Sequence, residues 1–190
     1  MPVNEAYSKR VETLRRMIIS KAIETKEAGF KLASGRTSNL YIDLRRLTQD
    51  PKGINLIGEL VLDKIEDIAA EARYVGGLET AAIPVSTAVS LLSFNRPNHL
   101  KAFWVRKQPK DHGLQNKIEG NLEKGAKAVI LDDTITTGGS SLKAVDAVRE
   151  FGANVIQIIA IVDRGSQDTF EKKAIPFFAF FTESDLVRTA

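Results

Sequence analysis

The stretch VILDDTITTGGSS, residues 129–141, decides the fold. Its first half is an apolar run ending in two adjacent carboxylates, Asp132 and Asp133. Its second half alternates hydroxyls with glycines and leads into SSLKAVDAVREF, residues 140–151, whose apolar positions recur at helical spacing until Gly152 stops them. A strand, a tight polar turn and a helix are the expected products. In an open parallel sheet, ligands bind beyond the carboxyl ends of the strands, where such turns lie.

Working outward, VIQIIAIVD (residues 155–163) is apolar without alternation, as in a strand covered on both faces. KAFWV (101–105) and YVGG (74–77) read as strands, Pro84 begins a helix, and a last strand spans about Pro176 to Phe181. Repeated strand, helix and strand predict an α/β fold: a mainly parallel central sheet flanked by helices. Upstream, Val11, Leu14, Ile18 and Ala22 place a helix over about Glu5 to Ala28. Strand-like pieces at Phe30–Leu32 and Leu40–Asp43 then flank a Ser-Gly-Arg-Thr-Ser turn, and helical period returns after Pro51. With no linker or repeat, the 190 residues read as a single domain: a small helix and strand hood over about 1–50, and a core over about 51–190.

Composition narrows the function. A chain that is 43% hydrophobic and 27% charged is an ordinary soluble protein, and the absence of cysteine excludes disulfides and thiolate metal sites. No apolar run approaches the roughly 18 residues of a membrane span, and the amino terminus is too polar for a secretory signal. A cytoplasmic location is expected, with no membrane partner. In the window 105–117, Arg106, Lys107, Lys110 and Lys117 face Asp111 alone, an excess equal to the whole chain's net charge of +3. Charge concentrated in one loop suits a local anionic ligand and not a nucleic-acid surface, which spreads its cations over a face.

Asp132 and Asp133 repel each other and need a diol, a cation or solvation as compensation. A ribose cis-diol can donate one hydroxyl to each. Thr134, Thr136, Thr137, Gly138, Gly139 and Ser140 then supply hydroxyls, close backbone approach and a helix amino terminus, which together cradle a phosphate. A ribose 5-phosphate site is the combined reading. The strand-Asp-Asp pattern also occurs in P-loop nucleotide hydrolases, but GNLEKGAK (120–127) lacks their glycine-lysine-hydroxyl order, and no G-x-G-x-x-G follows a strand. An acidic strand end before an ordinary helix cap accounts only for Ser140 and one glycine.

VILDDTITTGGS resembles the signature by which type I phosphoribosyltransferases bind phosphoribosyl pyrophosphate. VRKQPKDHG (105–113), followed by Ile118-Glu119-Gly120, resembles the catalytic loop of orotate phosphoribosyltransferases, and SGRTSNLYID and VDRG are similar to the same family. The likeness runs from about Phe30 to Gly165. It implies a homodimer that transfers ribose 5-phosphate to N1 of orotate with Mg²⁺, the metal held mainly through substrate oxygens.

By the same resemblance, phosphoribosyl pyrophosphate contacts Arg106, Lys107, Lys110, His112 and the run Asp132, Asp133, Thr134, Ile135, Thr136, Thr137, Gly138, Gly139 and Ser140. Lys110, His112, Asp132 and Asp133 are the expected catalytic residues, while Thr136 and Arg164 meet orotate. The loop 106–117, able to bend at Gly113, is expected to reach the neighbouring subunit's site while Lys107 stays in its own. Displacing pyrophosphate puts positive charge on ribose and negative charge on departing oxygens, so cations in this loop fit the task.

Three readings compete: a regulator that binds phosphoribosyl pyrophosphate without catalysis, the same transfer to another base, and a mere strand-end ion pair between Asp163 and Arg164. The chain also departs from many family members, which carry lysine where it has Ala33 and Ala81.

Overall fold

Side chains alternate across each central strand and sort into two apolar layers, one on either side of a six-stranded sheet. The computed structural model describes residues 5–31, 37–108 and 117–187. Its elements begin with α1 (Glu5–Met17), a wider π-type turn (Ile18–Ala22), β1 (Ile23–Lys31), β2 (Thr37–Ile42), α2 (Arg45–Thr48) and α3 (Pro51–Ile68). Next come β3 (Tyr74–Gly76), α4 (Ala82–Ser93), β4 (Lys101–Val105), β5 (Ile118–Gly120) and β6 (Lys127–Ile135). The chain continues with α5 (Gly139–Phe151), β7 (Asn154–Asp163), α6 (Gln167–Glu171), β8 (Phe177–Thr182) and α7 (Glu183–Val187).

The sheet order is β5-β4-β3-β6-β7-β8, parallel throughout except for the antiparallel edge strand β5. Val129, Leu131, Ile159 and Ile161 face one layer, against Ile57, Leu60 and Val61 of α3 and Val85 and Val89 of α4. Ala128, Ile130, Ile158 and Ala160 face the other, against Ala144, Val145 and Val148 of α5 and Phe170 of α6. The expected α/β architecture is thus observed. Asp50 starts α3 by accepting from the Lys52 and Gly53 N–H groups at 3.0 and 2.9 Å, with Pro51 at the first helical position.

Three expectations change. The first helix ends at Met17, and Ile23–Lys31 is a strand. Backbone pairing of Ile23, Glu24 and Thr25 with Ile42, Tyr41 and Leu40, together with Asp43 N–H donating to Ala22 O at 2.8 Å, replaces the helical bonds that apolar period alone suggested. Strand β6 does not stop at Asp133 but continues to Ile135, because Asp132, Thr134 and Ile135 remain in register with Ala160, Val162 and Asp163. The helix expected from Pro84 begins two residues earlier, at Ala82.

Candidate active site

The turn between β6 and α5 forms the floor of a cavity of about 240 Å³. Asp132, Thr134, Ile135, Thr136, Thr137, Gly138, Gly139, Ser140, Ser141 and Lys143 line it. Gly138 makes the turn possible: it occupies the left-handed region at φ 80°, and a Cβ there would lie 3.0 Å from the Phe170 ring. The first helical bond of α5 runs from Leu142 N–H to Gly138 O at 2.9 Å, so the N–H groups of residues 139–141 precede any intrahelical acceptor. Among the described residues no side chain caps them. Thr134 Oγ1 is buried, with no hydrogen-bond partner among the described residues. Uncapped amides, an orphan hydroxyl and the positive end of a 13-residue helix therefore converge on a volume that suits a phosphate.

The two carboxylates stay within reach of each other but meet different neighbours. Asp132 turns toward α5, where Ser141 Oγ donates to its Oδ2 at 2.8 Å, and its Oδ1 accepts from Asp133 N–H at 3.0 Å. Asp133 has the opposite parity, with Arg45 and Asp43 of the hood as its charged neighbours, and its Oδ1 accepts from Thr134 N–H at 2.6 Å. Both are half-buried and not at an exposed strand end. Burial, reinforced by the Asp133 charge, pushes Asp132 from 3.8 up to about 7. Asp133 is raised as well, by burial, against the Thr134 N–H and Arg45, which favour its charge. The structure thus joins Asp132 to the cradle and places Asp133 beside the hood.

Ile135 lines the cavity, but its side chain lies in the core and its carbonyl accepts from Arg164 N–H at 2.8 Å. Arg106 sits at the base of the cationic loop, with its N–H on Lys117 O at 2.8 Å and its guanidinium 3.7 Å from Glu119. Lys107 N–H donates to Glu79 Oε1 at 2.9 Å, and its side chain is exposed. Lys110, His112 and Gly113 lie outside the described residues, as does Ala33; Ala81 immediately precedes α4.

The ion pair between Asp163 and Arg164 is not formed. Asp163 Oδ1 instead caps the following turn, accepting from Gly165 N–H, Ser166 N–H and Ser166 Oγ at 3.1, 2.8 and 2.6 Å. Arg164 pairs with Glu183 at 2.6 Å. Sequence reasoning missed Ser141, Lys143 and Glu183. The second serine of GGSS was a visible signal for Ser141, whereas nothing local marks Glu183.

A strand-turn-helix phosphate cradle at the carboxyl edge of a parallel sheet, with carboxylates on the same strand, defines a class. The sequence profile described as "Phosphoribosyl transferase domain" matches residues 43–184, and the chain belongs to that family. The orotate phosphoribosyltransferase of Aquifex aeolicus is 40% identical over 179 residues, covering 93% of this chain and 97% of that protein. That of Methanocaldococcus jannaschii is 41% identical over 162 residues, covering 84% and 88%. Among solved structures, Mycobacterium tuberculosis H37Rv orotate phosphoribosyltransferase in complex with 5-phospho-α-D-ribosyl 1-diphosphate aligns with a TM-score of 0.75. It is 31% identical, and the alignment covers 93% of this chain and 98% of that one. Within its family, then, the chain stands with the orotate phosphoribosyltransferases.

Proposed function

We propose that the protein transfers ribose 5-phosphate from phosphoribosyl pyrophosphate to N1 of orotate, releasing orotidine 5′-phosphate and pyrophosphate. The observation that carries this reading is the uncapped amino terminus of α5 beside Asp132. Residues Thr134 to Ser140 hold the 5′-phosphate, with Ile135 acting through its backbone. Asp132 and Asp133 accept from the ribose hydroxyls. Arg106, Lys107, Lys110 and His112 serve the pyrophosphate, because guanidinium groups bind it in bidentate fashion and ammonium groups as point charges. Thr136 and Arg164 meet the base.

The reaction needs no covalent partner from the protein: holding N1 in line with the anomeric carbon and stabilising the departing charge lowers the barrier. Among the described residues no three metal-ligating side chains converge. The donors at the site are hard carboxylate and hydroxyl oxygens, which would fit Mg²⁺ held mainly through substrate oxygens. Bound there, Mg²⁺ supplies charge neutralisation to the pyrophosphate.

We further infer one catalytic domain per chain, working in the cytoplasm as a homodimer. Among the described residues no helix is long and apolar enough to cross a membrane. Leu91 and Phe94, 73% and 74% exposed along one side of α4 and its end, offer apolar surface for a second copy to bury. The test is pyrophosphate release from phosphoribosyl pyrophosphate and Mg²⁺ with a panel of bases. Release with orotate alone is the expected result. Release with a different base moves the assignment to that acceptor, and release with none leaves a binding regulator.

A further inference from the structure

Among the described residues, Glu183 and Leu40 hold Arg164. Its Nε donates to Glu183 Oε2 at 2.6 Å and its Nη2 to the carbonyl of Leu40, in hood strand β2, at 3.2 Å. Only 5% of the Arg164 side chain is exposed, against 39% for Glu183. Glu183 opens α7 on a fixed backbone: Asp185 Oδ2 accepts from both the N–H and the Oγ1 of Thr182 at 2.7 Å, and Arg15 Nε of α1 donates to Asp185 O at 2.9 Å. Two bonds at different nitrogens fix both the position and the plane of a guanidinium. The plane matters because Arg recognises carboxylates and carbonyls through a flat fork of donors, so a rotated fork loses paired contacts while keeping its charge.

We infer that Glu183 is a positioning residue for base recognition: it sets the plane in which Arg164 meets the flat, anionic pyrimidine, with the hood carbonyl of Leu40 as the second stop. This rests on the reading of Arg164 as a base-binding group. Two effects of the carboxylate oppose each other. Its negative charge weakens attraction for an anionic base, and its hydrogen bond orients the fork. Removing the charge alone and removing the whole group therefore have different outcomes.

Steady-state kinetics of Glu183→Ala, Glu183→Gln and Arg164→Ala separate them. Glu183→Ala is expected to raise the orotate KM about tenfold, at the low end of what losing an orienting partner costs. Its KM for phosphoribosyl pyrophosphate and its kcat stay within about twofold of the parent. Glu183→Gln keeps an acceptor for Nε and stays within about threefold on orotate. In an Arg164→Ala background the Glu183→Ala effect disappears, as it must if one residue acts through the other.

A Glu183→Ala enzyme with unchanged orotate KM, or with both KM values raised equally, while Arg164→Ala selectively weakens orotate, overturns the inference and leaves the base-binding reading standing. An Arg164→Ala enzyme with unchanged orotate KM removes both. Should Glu183→Ala not fold, Glu183→Asp replaces it: withdrawing the carboxylate by one methylene must still raise the orotate KM selectively, and a parental value overturns the inference.

Discussion

Ser141 Oγ lies 2.8 Å from Asp132 Oδ2 and donates to it, which favours the ionised carboxylate against the burial that raises it. Ser141→Ala removes that donor from a fully buried position in the first turn of α5. A hydrogen bond to a charged group contributes about 1.5–3 kcal/mol. With about half of that specific to the ionised form, Asp132 moves up by about one further pH unit.

Ribose hydroxyls must donate to the carboxylate, so affinity for phosphoribosyl pyrophosphate is present above the Asp132 pKa and lost as pH falls through it. The parent, with Asp132 raised to about 7, loses affinity around neutrality, and the variant does so about one unit higher. At pH 7 the variant binds about fivefold more weakly. Titration calorimetry between about pH 6 and pH 9 measures this, and taking the ratio of variant to parent cancels the substrate's own phosphate ionisation. The same raised pKa has a second sign: the ligand-free native state holds a proton that the unfolded chain has shed. Its stability therefore falls as pH climbs from about 4 through about 7. A midpoint that stays in place or moves down in Ser141→Ala refutes the reasoning.

Gly138→Ala forces a side chain into the left-handed region and brings its Cβ 3.0 Å from Phe170 and 3.3 Å from Thr169. A loss of about 2 kcal/mol is expected, read as a lower urea midpoint, and an unchanged midpoint contradicts the strain. If the loop 106–117 completes the neighbour's site, Lys110→Ala and Asp133→Asn proteins, each nearly inactive alone, recover about half of normal activity per mixed dimer. Confirmed mixed dimers without recovery show that each loop serves its own subunit.

The core was legible because its signals are local. KAFWV gave β4 residue for residue, and VILDDTITTGGSS announced strand, turn and helix, since a glycine pair between a strand and an amphipathic run has few other uses. The hood was not. Ile18 and Ala22 continue the helical spacing of α1 and are fully buried, yet the backbone leaves the helix to pair with a strand more than ten residues further on. Elements as short as α2, β5, α6 and α7 carry too few residues to show a period. Glu183 was invisible because an ion pair from the start of α7 back to Arg164, after β7, leaves no mark in either neighbourhood.

The two halves of the site differ in how far along the chain their parts lie. The cradle closes over nine residues, from Asp132 to Ser141, whereas the base corner joins Arg164 to Leu40 across 124 residues and Arg15 to Asp185 across 170. Loop closure costs about 0.6 kcal/mol per doubling, so the base corner faces about 2 kcal/mol more entropy than the cradle before its contacts form. During folding, the ability to hold a phosphate therefore arises before the ability to choose a base. Pulse-labelled hydrogen exchange would show α5 amides protected ahead of those in α7, which is held by α1 from the other end of the chain; simultaneous protection would mean that both halves form in one step.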